Sequence, residues 1–133
     1  MSEILSISIP SNLENIEQVE QFVDKLKVTW DLSEDIYGNV MITVTEAVNN
    51  AIKHGNKNDP EKSVELKAIY SNQKLQVKVR DEGSGFEPES LSNPLEEDNL
   101  LKQRGRGVFI MKQMADNVTF ENNGSTVILT YEL

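Results

Sequence analysis

Apolar positions along this chain alternate, then recur every three or four residues, then alternate again, and each change of period marks an element. From Glu3 to Ile9, Leu5, Ile7 and Ile9 alternate with Ile4, Ser6 and Ser8, which predicts a strand with one buried face that Pro10 closes. Ser11 with Glu14 reads as a capping box. It opens an amphipathic helix through Leu13, Ile16, Val19, Phe22, Val23 and Leu26 to about Val28. A second helix starts after Asp31 or Ser33 and runs to His54, with Ile36, Val40, Val44, Val48 and Ile52 at every fourth position and Gly55 placed to stop it.

Asn56 to Lys62, with Asp59-Pro60, reads as a loop. Val64, Leu66, Ala68 and Tyr70 then alternate with Glu65, Lys67 and Ile69. Across Ser71-Asn72-Gln73, Leu75, Val77 and Val79 alternate with Gln76, Lys78 and Arg80, so the two runs predict an antiparallel hairpin. Between Phe86 and Arg104 there is little periodicity, with Pro88, Pro94 and the acidic Glu87, Glu89, Glu96, Glu97 and Asp98. This stretch, 87–104, is a lid candidate, a solvated acidic segment being the simpler alternative. After Gly107, Val108, Met111, Met114 and Ala115 restore helical spacing. Val118 to Glu121 and Thr126 to Leu133 then form a closing hairpin across Asn122-Asn123-Gly124. The order of strand, helix, helix, two strands, helix, two strands predicts an α+β two-layer sandwich, with helices on one face of a mostly antiparallel sheet.

Composition narrows the function classes. The 133 residues suit one compact domain, 1–133, with a core of its own. There is no Cys, which excludes a disulfide scaffold, a thiol nucleophile and thiolate metal sites, and with one His, His54, a multi-histidine cage is also disfavoured. Thirteen Lys and Arg against 22 Asp and Glu leave a net charge of −9, which repels phosphate backbones and anionic lipid. No basic leader precedes an apolar stretch and no apolar run approaches the ~20 residues of a membrane span, so a cytoplasmic protein with no nucleic-acid or membrane partner is expected.

Three segments carry candidate chemistry. The second helix interrupts its apolar pattern at Thr43, Glu46, Asn50 and Lys53. Glu46 and Asn50, four apart, point into the same space about 40° from one another. Such a pair can hold a hard divalent cation through Asn50 while Glu46 takes a proton, or it can be a solvated helix face. Asp81-Glu82-Gly83-Ser84-Gly85-Phe86 follows a predicted strand: a carboxylate able to accept the exocyclic amine of adenine, beside glycines that let a flat ligand approach, or a plain glycine turn with a capping Asp. Arg104-Gly105-Arg106-Gly107-Val108 opens a helix, where free amides and two arginines suit phosphate; a flexible loop before a core helix is the alternative. It is neither a P-loop nor a dinucleotide fingerprint. His54 reads as a helix cap, and Trp30, Tyr37 and the methionines as core or edge residues.

In order, T-E-A-V-N-N-A-I-K-H-G-N (Thr45 to Asn56), D-E-G-S-G-F (Asp81 to Phe86) and G-R-G-V-F-I-M (Gly105 to Met111) resemble the N, G1 and G2 boxes of the GHKL ATP-binding superfamily. Within it, the chain is similar to the small single-domain branch, the bacterial anti-sigma-factor serine kinases, from the first strand to Gly124-Ser125-Thr126. The resemblance implies the Bergerat ATP-binding fold with ATP and Mg²⁺ as cofactors. It implies Glu46 as catalytic base, Asn50 as Mg²⁺ ligand, Asp81 as adenine reader, and Gly83 and Gly85 as close-approach glycines. Gly105 and Gly107 would shape the lid around the phosphates, Thr126 would support the adenine pocket, and Lys53 and Val108 complete the nucleotide-binding set. Arg104 and Arg106 are the candidates for the terminal phosphate, although the family's arginine varies in offset and here one of them stands between the glycines. The function implied is ATP-dependent phosphorylation of a serine or threonine on a small anti-sigma-factor antagonist, with binding of a sigma factor, by a homodimer. The alternative is a non-catalytic module of the same fold in which ATP only rigidifies the lid. A detached histidine-kinase domain fits less well, because there is no second helical hairpin and no phosphoacceptor His.

Overall fold

A computed structural model describes residues 2–83 and 107–133. Strand β1 (Glu3–Pro10) leads through a 3-10 turn (Leu13–Asn15) into helix α1 (Ile16–Trp30), and helix α2 (Glu34–Asn50) continues into a π-helical turn (Ala51–Gly55). Strands β2 (Ser63–Ser71) and β3 (Lys74–Arg80) follow, then helical residues over 107–114 (α3), and finally β4 (Asn117–Glu121) and β5 (Thr126–Glu132). The five strands form one sheet in the order β1-β2-β3-β5-β4, with every neighbouring pair antiparallel.

Strand alternation sorts the side chains by face. Leu66, Ala68, Val77, Val79, Leu129 and Tyr131 are buried against the helices, which contribute Val23 and Leu26 from α1, Val40, Val44 and Val48 from α2, and Met111 from α3. On the opposite face lie Glu65, Lys67, Lys78 and Arg80, all at least partly exposed. The two-layer α+β sandwich expected from the element order is the one observed.

The boundaries differ in instructive ways. The Ser11–Glu14 capping box does not form. The Ser11 amide is committed to Lys62 O (2.9 Å), continuing the pairing of β1 with β2, and its buried hydroxyl has no hydrogen-bond partner among the described residues. Asn12 instead accepts the Glu14 amide (3.0 Å), and the α-helix proper begins after one 3-10 turn. At its other end α1 runs two residues beyond Val28, because the Trp30 ring is buried on Tyr70 (centroids 5.4 Å apart) and its indole N–H donates to Glu3 on the edge strand. Asp31, in the left-handed region at φ 50°, then closes the helix onto Lys27 O. The β2–β3 turn has two residues of positive φ, Asn72 (53°) and Gln73 (59°), matching the right-handed twist of its strands.

Candidate functional site

The C-terminal half of α2 is aimed by a buried pin. Thr43 is fully buried, donates to Asn39 O (2.7 Å) and shares a hydrogen bond with the Tyr131 hydroxyl of β5. Burial pushes the Tyr131 phenol well above its ordinary range, so it stays neutral and the helix is fixed to the sheet one turn before Glu46.

Glu46 and Asn50 follow, both half-buried. Among the described residues the buried Asn50 amide nitrogen has no hydrogen-bond partner, a costly state for a polar atom that suits it to contact a bound ligand. Over this pair lies Gly107: a Cβ there would stand 2.9 Å from Asn50 Nδ2 and 3.1 Å from Glu46 Oε2. Two segments sixty residues apart in sequence thus close on one spot, with the space kept open by the absence of a side chain. Which end of the Asn50 amide faces that space is interchangeable, and its oxygen suits a hard cation. Among the described residues there is no group of three acidic or histidine side chains able to hold a metal.

The adjoining pocket lies between α2, α3 and the sheet. Ala47, Ala51, Val79, Val108 and Val127 give it apolar walls, and Asn50 and Asp81 supply polar groups. Asp81 follows directly from β3 on its helix-facing side and is only 5% exposed. Its amide donates to Ser125 O (2.9 Å) and its Oδ1 accepts from the Gly83 amide (2.8 Å). Two glycines make this approach possible. A Cβ on Gly55 would fall 2.2 Å from Asp81 Oδ2, and one on Gly83 would fall 2.0 Å from the Gly55 carbonyl oxygen. The end of α2 therefore lies backbone to backbone against the segment after β3. The π-helical turn delivers it there: the Asn56 amide reaches five residues back to Ala51 O (2.8 Å), where an unbroken α-helix to His54 was expected from the apolar period.

Of the residues expected from sequence, Glu46, Asn50 and Gly107 meet, and Asn50, Asp81 and Val108 line one pocket with Gly83 beside it. Lys53 is exposed and outside that lining. Thr126 is not brought into the pocket: it precedes Val127, which faces the helices, so its own side chain lies on the other face with Lys78 and Arg80, accepting from Asn122 Nδ2 (3.2 Å). The pocket is lined instead by Gly124 and Ser125. Gly85, Arg104, Gly105, Arg106 and the lid candidate 87–104 lie outside the described residues. Sequence reasoning gave Gly55 only the task of stopping a helix; its position next to His54 carried no sign of Asp81.

Comparison with known proteins identifies the family. The sequence pattern of the histidine kinase-like ATPase domain matches residues 9–131. The anti-sigma F factor of Geobacillus kaustophilus (strain HTA426) is 37% identical over 116 residues, covering 84% of this chain and 77% of that protein. The serine-protein kinase RsbW of Listeria monocytogenes serotype 4a (strain HCC23) is 21% identical over 137 residues, covering 98% and 87%. Among solved structures, that of the RsbU and RsbW domains of Rv1364c from Mycobacterium tuberculosis superposes with a TM-score of 0.70 at 13% identity, over 98% of this chain and 32% of that one. This last likeness is one of fold, and this chain spans about a third of the solved chain. With the family pattern running from the end of β1 into β5, this chain belongs to the histidine kinase-like ATPase domain family.

Proposed function

We propose that this chain is an ATP-dependent serine/threonine protein kinase acting as an anti-sigma factor, which phosphorylates a small antagonist protein and binds a sigma factor. The observation that carries the reading is the meeting of Glu46 and Asn50 under Gly107, at the mouth of a pocket that holds Asp81. The names of the relatives, anti-sigma F factor and serine-protein kinase RsbW, support the same activity and partners. In this reading Asp81 accepts the adenine amine and the apolar walls from Ala47, Val79, Val108 and Val127 enclose the ring. Asn50 holds Mg²⁺, which neutralises phosphate charge when bound. Glu46 orients the incoming serine or threonine hydroxyl and takes its proton as the oxygen bonds to the γ-phosphorus and the bond to the β-phosphate oxygen breaks, releasing ADP. Arg104 and Arg106 are assigned to the terminal phosphate and Gly85 and Gly105 to its surrounding backbone. The protein works as a cytoplasmic homodimer. Among the described residues no helix is long and apolar enough to cross a membrane.

Calorimetry tests the reading. ATP should bind with a Kd that tightens when Mg²⁺ is added, and Asn50→Ala should remove most of that magnesium dependence. Absence of binding at millimolar ATP would overturn the nucleotide assignment. Gly107→Ala supplies a second check. Its methyl group would press on both Asn50 and Glu46, so ATP affinity in Mg²⁺ should fall roughly tenfold, about the worth of one displaced polar contact, while the melting temperature stays near that of wild type. Unchanged affinity would show that Gly107 does not cover the phosphate end.

A further inference from the structure

We propose that Asn56 is a positioning residue for adenine recognition, the brace that holds the Asp81 carboxylate in one orientation and so sets the preference for adenine over guanine. The inference rests on Asp81 being the adenine acceptor. Asn56 is 1% exposed and uses both ends of its side chain. Its Oδ1 accepts the Glu82 amide (2.7 Å), and its Nδ2 donates to Ser63 O at the start of β2 (2.9 Å). A reversed amide would set donor against donor and acceptor against acceptor, so the orientation is determined. The backbone of Asn56 is itself held, because its amide closes the π-helical turn on Ala51 O. Glu82 completes a ring by reaching back with its carboxylate to the Ser63 amide (2.5 Å) and hydroxyl (3.2 Å).

The consequence falls on Asp81. Its own amide is held by Ser125 O, and the peptide that joins it to Glu82 is held by Asn56, so the peptide groups on both sides are fixed. Oδ1 is engaged by the Gly83 amide, and Oδ2 lies beside Gly55, where a Cβ would stand 2.2 Å from it. A carboxylate in one orientation accepts from the adenine amine and repels the carbonyl oxygen that guanine carries at the same place; one free to turn discriminates less. Asn56 therefore acts through Asp81, without touching nucleotide.

The test is calorimetric titration of ATP and of GTP into full-length wild type, Asn56→Ala and Glu82→Ala, well below each melting temperature, with kcat measured at saturating ATP. Asn56→Ala should raise the ATP Kd about tenfold, leave the GTP Kd within about threefold and leave kcat within about twofold, so that the ratio of affinities narrows. Glu82→Ala, at an exposed position, should narrow the ratio in the same direction by a smaller factor, and it carries the test if Asn56→Ala does not fold. A wild-type ATP to GTP ratio in the folded variants, or an equal loss of both nucleotides, would overturn the brace. Asp81→Asn separates this from failure of the adenine reading: if that variant keeps wild-type ATP affinity, Asp81 is not the acceptor, whereas if it loses ATP and the Asn56 and Glu82 variants do not, only the brace is lost.

Discussion

Replacing Asp81 by Asn should weaken ATP binding by roughly 10- to 100-fold, the range that corresponds to losing a hydrogen bond with a charged partner. The direction follows from how the side chain is already used. Oδ1 is engaged by the Gly83 amide, so an Asn that keeps this turn must present its NH₂ group where the carboxylate now presents Oδ2. Donor would then meet the adenine amine, itself a donor. The turn, the strand and the fit against Gly55 are retained because the two side chains have nearly the same shape, and the variant should melt within a few degrees of wild type. Titration calorimetry with ATP reads the effect directly, and wild-type affinity in this variant would remove Asp81 from base recognition.

Glu46→Ala should produce the opposite division of effects. ATP affinity should stay within about threefold, while transfer of the γ-phosphate to the acceptor protein falls by roughly 10²- to 10⁴-fold, the usual contribution of a positioned general base. Alanine is a good helix former and Glu46 is only half-buried, so α2 itself should be undisturbed. The measurement is label transfer from γ-labelled ATP to the protein that wild type phosphorylates in an extract. A variant that transfers phosphate at the wild-type rate would sink the assignment of Glu46 as base. A wild type that binds ATP and Mg²⁺ yet labels no protein would favour the non-catalytic module, in which nucleotide only orders the partner-binding surface.

Most of the architecture was legible because it is written in local periods. The strands β1, β2 and β3 each turn one face more to the core than the other, and a period of two reports that whatever the partner strand is. Ser33 carries a local signal for the start of the second helix, and its hydroxyl does accept the Ile36 amide (3.2 Å). Ser11 had the same local credentials and failed: Asn12 takes the Glu14 amide that its hydroxyl would have accepted, while its own amide pairs with Lys62 across the sheet and its hydroxyl is turned inward. A capping signal is thus a competition, decided here by a neighbouring side chain and a strand partner that the capping pattern does not include.

The candidate site divides along the same line. Sequence alone determined which side chains carry charge and amide groups, that Glu46 and Asn50 share a helix face, and that glycines follow Asp81-Glu82 and alternate with Arg104 and Arg106. Those properties depend on residue type and on spacings of a few residues, which helix and strand geometry convert into direction. Tertiary structure decided everything that needed two segments to meet. It set Gly107 over Asn50 and Glu46, put Gly55 rather than a turn residue against Asp81, turned Thr126 to the far face of the sheet while Ser125 lined the pocket, and joined Asn56 to Glu82 and Ser63. Such contacts are fixed by strand register and by a π-helical turn whose hydropathy is the same as that of an α-helix, so the chain's own pattern of polar and apolar residues holds no record of them.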